Sequence, residues 1–215
     1  MSKKQKKEEI KQKSALREYV EAILIALLIA LFIREYVVQA FKIPTGSMED
    51  TLLVGDRILV NKFIYGVKVP FSDLKVFTYR KPKRDEIIVF IYPKDRTKDF
   101  IKRVVGIGGD KVEVKKKMLY LNGRLKKDPW EVHKEKSIIP PNLQPRDYFG
   151  PILVPKGKLF VMGDNRDRSL DSRFWGFVDL KDVKGKALII YFSTEPYWET
   201  HFLGVRWERI GKIIR

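Results

Sequence analysis

Residues 22–33 read AILIALLIALFI, twelve apolar residues without a break. No feature of the chain constrains its architecture more, because such a run has to be hidden from water. The first 17 residues hold seven cations, Lys3, Lys4, Lys6, Lys7, Lys11, Lys13 and Arg17. A bilayer core asks for about 20 apolar residues in a helix, more than the run itself supplies. Widening the window to Tyr19–Val38 admits only Glu21, Arg34 and Glu35 as charges. All three lie near an edge, where long side chains reach the interface. Tyr19 and Tyr36 sit where interfacial aromatic residues belong. The expectation is an uncleaved membrane anchor over residues 18–38. A cleavable signal peptide is the second reading, and no small-x-small site follows Ile33 to favour it. A buried core helix is the third. Cations crowding the amino-terminal side put residues 1–17 in the cytoplasm. The chain is then expected in the cytoplasmic membrane as a single-pass protein, with residues 39–215 on the extracytoplasmic side.

Beyond the anchor the pattern is mainly β. Short runs rich in Val, Ile, Phe and Tyr lie at 56–64, 85–92, 99–107, 110–115, 117–123, 158–164 and 185–192. Gly, Pro, Asn and Asp punctuate them. No amphipathic helix of useful length separates them, which argues against a parallel α/β sheet. Residues 124–157 contain Pro140, Pro141, Pro145, Pro151 and Pro155, and read as a loop-rich insertion on the β domain.

Chemistry has few places to reside. The chain has no cysteine and only two histidines, His133 and His201, and neither histidine has a motif around it. Ser47 lies in PTGSMEDTL (44–52), a turn-prone stretch just past the apolar run. It is either a loop hydroxyl or a nucleophile in need of a base. Lysine can serve as that base when desolvation lowers its pKa. In the run FIKRVV, strand alternation gives Phe100, Lys102 and Val104 one face, so Lys102 is flanked by apolar neighbours. Its other reading is a lysine snorkelling from a sheet edge. The polar stretch GDNRDRSLDSR (163–173) follows a strand. Its Asp164, Asp167 and Asp171 do not have the spacing of an EF-hand calcium loop. Asp171 and Arg173 are placed to pair across a turn.

Four blocks in order, IPTGSMEDTL (43–52), GDRILVNKF (55–63), KRVVGIGGD (102–110) and GDNRDRSLDSR (163–173), behind an apolar anchor, resemble bacterial type I signal peptidases, the membrane-bound Ser–Lys endopeptidases. The resemblance implies that preprotein signal peptides are the substrates, cut after Ala-x-Ala-type sites, and that no cofactor or metal takes part. It implies Ser47 as nucleophile, Lys102 as general base and Ser169 as the residue orienting the Lys102 amine. The oxyanion would be held by the Ser47 N–H and the Thr45 hydroxyl, where the family often has Ser. Asp171 and Arg173 would form a structural ion pair. Pockets for small residues would be lined by Phe41, Ile43, Pro44, Met48, Leu52, Ile58, Val89, Phe100 and Ile101. The family usually has Pro at the positions of Asp50 and Gly108, and Asn at that of Arg168. The insertion between the third and fourth blocks is short, so a reduced cap domain is expected.

The net charge of +17 admits membrane lipid or nucleic acid as a partner. The apolar anchor favours lipid, and no basic aromatic RNA-binding motif is present. A self-cleaving repressor would carry a helix-turn-helix where this chain has its apolar run. The non-enzymatic alternative is an anchored β-domain that binds peptides or lipids.

Overall fold

The computed structural model describes residues 15–68, 75–76, 78–195 and 204–215. Most of the basic amino-terminal segment and His201 lie outside them. Helix α1 spans Ala15–Phe32. Ala, Leu and Ile dominate it, and an Arg17–Glu21 pair at 2.9 Å braces its first turns. A π-helical turn at Ile33–Val37 follows, and the chain is already in a strand by Val38. Along α1, consecutive residues Ile23, Leu24 and Ile25, then Leu27, Leu28 and Ile29, are all more than half exposed. The helix is therefore apolar on every side, which is not the pattern of a surface helix covering a core. No helix among the described residues is long and apolar enough to cross a membrane. The reason is visible in the sequence: Arg17, Glu18 and Glu21 occupy the first turns, so the apolar part of the 18-residue helix begins at Ala22.

The remainder is mainly β, as its alternation predicts. The main sheet has the order β1-β2-β13-β5-β6-β11-β12. Its strands are β1 (Val38–Lys42), β2 (Asp56–Asn61), β5 (Ile87–Ile91), β6 (Asp99–Ile107), β11 (Lys158–Met162), β12 (Val178–Asp179) and β13 (Val183–Ser193). All neighbours are antiparallel. A second sheet has the order β10-β7-β8-β9, from β7 (Lys111–Lys115), β8 (Met118–Leu121), β9 (Arg124–Leu125) and β10 (Tyr148–Leu153). A two-stranded ribbon pairs β3 (Val67–Lys68) with β4 (Lys75–Val76). The stretch read as loop-rich thus supplies β9 and the edge strand β10. Pro151 within β10 is tolerated there because an edge strand can do without one ladder donor.

Strand β5 shows how the sheet is buried on both faces. Ile87 and Val89 enter one core with Met48, Leu52, Ile58 and Ile190. Ile88 and Phe90 enter another with Val104, Val161 and Trp175. A third core, around Val105, Val112, Phe160 and Met162, joins the main sheet to the smaller one. Helix α2 (Ser172–Trp175) closes the GDNRDRSLDSR segment and is capped by the Asp171 side chain.

Candidate active site

Ser47 sits on a single 3-10 turn, Gly46–Met48, entered from an extended Thr45. The turn is fixed from below and from the side. Met48 and Leu52 are fully buried in the first core, and the Leu52 N–H donates to Met48 O at 2.7 Å. Asn165 ties the turn laterally. Its backbone N–H donates to Ser47 O at 3.2 Å, and its side-chain amide donates to Gly46 O at 3.3 Å and to Glu49 Oε2 at 3.1 Å.

Strand β6 brings Lys102 to this turn, 55 positions along the chain, with Nζ 2.6 Å from Ser47 Oγ. The amine also donates to Ile101 O at 3.0 Å and lies over the Phe100 ring, 5.4 Å from its centroid. Lys102 is 4% exposed and Ser47 8%. Burial pushes the Lys102 amine down to about 8 from 10.5, against the pull of Asp171 and Asp164, which favour the charged form. A serine hydroxyl is thus in contact with an amine that loses its proton near pH 8, well below an ordinary lysine.

The aspartates of the 163–173 segment each face a cation. Asp171 is met by Arg173 at 2.9 and 2.8 Å, and the Gly163 N–H donates to it at 3.1 Å. Burial works to raise its carboxyl, but the arginine and these hydrogen bonds outweigh it and hold Asp171 below the usual carboxylate range. Arg173 further donates to Arg146 O and Arg166 O, at 2.7 Å each, stitching the loop to its surroundings. Asp167 pairs with Lys117 at 2.9 Å. Asp164 pairs with Arg103 at 2.8 and 2.7 Å, both side chains being 1% exposed. Asp164 also accepts from Thr51 Oγ1 at 2.6 Å. Arg103 is held in addition by Asp85 O and Arg215 O, with Trp130 stacked 4.0 Å from its guanidinium.

The residues singled out in the sequence are not all equivalent in space. Ser169 Oγ is buried without a hydrogen bond of ordinary geometry among the described residues, stands close enough to Asp171 to help lower that carboxyl, and has no bond to the Lys102 amine. It does reach the site: a Cβ on Gly163 would lie 2.3 Å from Ser169 Oγ and 2.3 Å from Ser47 O. Glycine is therefore required at 163 for the two segments to approach. Thr45 is exposed beside the turn. Of the apolar set, Ile43, Met48, Leu52, Ile58 and Val89 are at most 2% exposed and form one core, with Phe41 and Ile101 against it. Pro44 is exposed. Phe100 belongs to the other face, stacked on Tyr92 at 4.2 Å. The accessible wall near Ser47 is thus thinner than the nine residues suggest. His133 Nδ1 lies 3.6 Å from Asp167 Oδ1, with Lys117 the nearer partner of that carboxylate at 2.9 Å.

Sequence reasoning missed Arg103, Asp164, Asn165 and Thr51. Arg103 follows Lys102 and so points to the opposite face of β6, where an arginine among apolar residues signals a buried partner. Nothing local marks Asp164 as that partner.

The strand pairing leaves part of β6 unpaired near Ser47. Strand β6 pairs with β5 over Asp99–Arg103 but with β11 only from Arg103 onward. On its β11 side the backbone of residues 99–102 therefore has no strand partner among the described residues.

A family model described as signal peptidase, peptidase S26 matches residues 16–192. The chain is 36% identical over 220 residues to signal peptidase I of Pseudomonas aeruginosa, covering 86% of this chain and 76% of that one. It is 35% identical over 229 residues to signal peptidase I of Aquifex aeolicus, covering 83% and 85%. Against the crystal structure of a signal peptidase I from Enterococcus faecalis V583 it is 31% identical, covering 50% of this chain and 97% of that one, with a TM-score of 0.40.

Proposed function

The chain belongs to the signal peptidase, peptidase S26 family, a serine peptidase that removes signal peptides, and from that premise we propose that Ser47 and Lys102 carry the reaction as a dyad. The observation that supports it is the 2.6 Å contact between Ser47 Oγ and the buried Lys102 Nζ. With the amine neutral, the Ser47 hydroxyl donates to its lone pair. As Oγ attacks the scissile carbonyl carbon, the proton passes to Nζ, and the new ammonium later gives it to the leaving amine. The ester so formed on Ser47 is hydrolysed by water, activated by the same neutral lysine. Developing charge on the carbonyl oxygen is met by the Ser47 N–H and the Thr45 hydroxyl. The family resemblance assigns Ser169 to orienting the amine, a hydrogen bond that this structure does not form, and the Asp171–Arg173 pair holds the segment that carries Ser169.

The substrate is an extended segment, which adds as a strand to the open edge of β6 at residues 99–102. Ala-x-Ala selection follows from the close approach of the Ile43–Ser47 and Phe100–Lys102 segments, with Phe41, Pro44 and Ile101 as the accessible wall and the buried Ile43, Met48, Leu52, Ile58 and Val89 packed behind it. Residues 18–38 anchor the protein in the cytoplasmic membrane. Helix α1 and its π turn together run Ala15–Val37; their apolar part, from Ala22, falls short of the roughly 20 residues a hydrocarbon core asks for, so the flanking Arg17 and Arg34 reach the interface by snorkelling. Residues 1–17 lie in the cytoplasm and 39–215 outside.

Cleavage of a synthetic Ala-x-Ala signal-peptide substrate by the full chain in detergent tests this. Loss of cleavage after the −1 alanine in both Ser47→Ala and Lys102→Ala is expected. Undiminished cleavage in either variant removes that residue from the mechanism.

A further inference from the structure

A cavity of about 910 Å³ opens at the foot of α1, away from the Ser47 site. One side of it is hydrocarbon: Ala30 and Ile33 from the helix and Leu59 from β2. This wall continues the exposed apolar surface of the helix, where Phe32 is 59% and Ile33 45% exposed. The other side is cationic. Among the described residues Arg34, Lys62, Lys181 and Lys184 line it with one carboxylate, Asp182, which is engaged by Arg96 at 2.7 and 3.1 Å. Lys184 also reaches Asp99 at 2.6 Å. A helix's carbonyl end attracts cations, which accounts for Arg34. The three lysines stand on the β-domain and add to that charge independently.

A cavity that is hydrocarbon towards the helix and cationic towards the β-domain matches an amphiphile with an anionic head. Resting on the membrane reading of α1, the geometry points to a seat for the headgroup of one anionic phospholipid, its phosphate among Arg34, Lys62, Lys181 and Lys184 and an acyl chain along Ala30 and Ile33. Free phosphate would use the cations but leave the continuous apolar wall without a purpose. A seat at this level orients the β-domain on the bilayer surface, with the catalytic turn held close to the membrane from which its substrates emerge.

The test uses the full chain in a zwitterionic detergent. Native mass spectrometry measures retention of dioctanoyl phosphatidylglycerol, of dioctanoyl phosphatidylcholine and of inorganic phosphate. The Arg34→Gln/Lys181→Gln variant is compared with a control of equal charge, Lys111→Gln/Lys127→Gln, on the smaller sheet and its margin. Cations near an anionic lipid surface contribute about fivefold each. The wild type and the control should retain one phosphatidylglycerol at least about tenfold better than phosphatidylcholine, and the cavity variant should lose most of that preference while still cleaving peptide in detergent. Equal retention of the two lipids by the wild type, an undiminished preference in the cavity variant, or equal retention of inorganic phosphate would overturn the proposal. Flotation with phosphatidylcholine vesicles separates the two readings. Failure to float defeats the membrane anchor and this seat together, whereas flotation without lipid preference defeats the seat alone.

Discussion

Replacing Lys102 with Met should make the stability of the protein less dependent on alkaline pH, by an amount that the burial of the amine fixes. The Lys102 pKa falls from 10.5 to about 8 in the fold. At about 1.4 kcal/mol per pH unit, this costs the folded state about 3 kcal/mol wherever the lysine is charged in both states. Below about pH 8 folded and unfolded chains both hold the proton, and the whole cost is present. Between about pH 8 and 10.5 the unfolded chain binds more protons than the folded one, so stability rises with pH. Above about 10.5 both are neutral and the cost is gone. Methionine has no such cost at any pH and nearly the same length. It also removes the partner of Ser47 Oγ, but that loss does not vary with pH over this range. The informative quantity is therefore the difference between wild type and Lys102→Met, measured by urea unfolding of the full chain in detergent at about pH 7 and about pH 10. The wild type should gain about 2 kcal/mol on the variant across that interval. A difference that stays constant within about 0.5 kcal/mol would refute the reasoning, because it would mean that the buried amine keeps an ordinary pKa.

Two further outcomes follow from the geometry around the dyad. Gly163→Ala places a methyl group 2.3 Å from both Ser47 O and Ser169 Oγ, so the two segments must separate. Cleavage should fall by about 100-fold, since displacements of about 1 Å at a reacting group have that effect, with the far-ultraviolet circular dichroism unchanged; full activity would show that the close approach is dispensable. Arg103→Met leaves Asp164 charged and buried, and should destabilise by about 3–5 kcal/mol as read by the urea midpoint; a shift below about 1 kcal/mol would show that Thr51 and solvent suffice for Asp164.

How much of this could be read beforehand depends on the distance over which the information acts. Alternation is local, and the runs at 99–107, 110–115 and 158–164 correspond to β6, β7 and β11. Strand β1 escaped because VVQAF begins only three residues beyond the apolar run, after Arg34–Tyr36, and reads with it as the end of the anchor, and the turn into it at Ile33–Val37 is π-helical. Strand β10 escaped because Gly150 and Pro151 interrupt its alternation, and it gains its ladder only from β7. At the site, Ser47 and Lys102 were marked by motif blocks. Their burial was legible only for Lys102, through its apolar neighbours. The partnership of Arg103 with Asp164 spans 61 positions and leaves no local trace. The same holds for the carboxyl-terminal segment, where Arg209 grips Asp56 at 2.9 and 2.6 Å and Thr51 O at 3.0 Å. That bracing of the turn beyond Ser47 joins elements more than 150 positions apart. The apolar set was the reverse case. Its residues were named together, but core packing consumed most of their surface and strand alternation sent Phe100 to the opposite face.

The central claim is that neutral Lys102 takes the proton of Ser47. The most direct measurement is kcat/KM for an Ala-x-Ala signal peptide against pH, on the full chain in detergent. The account predicts a rise of about tenfold per pH unit at low pH, bending near pH 8 where the buried amine loses its proton and then levelling. A profile that is flat from about pH 6 to pH 10, or one that bends near 10.5 as an ordinary lysine would, contradicts it.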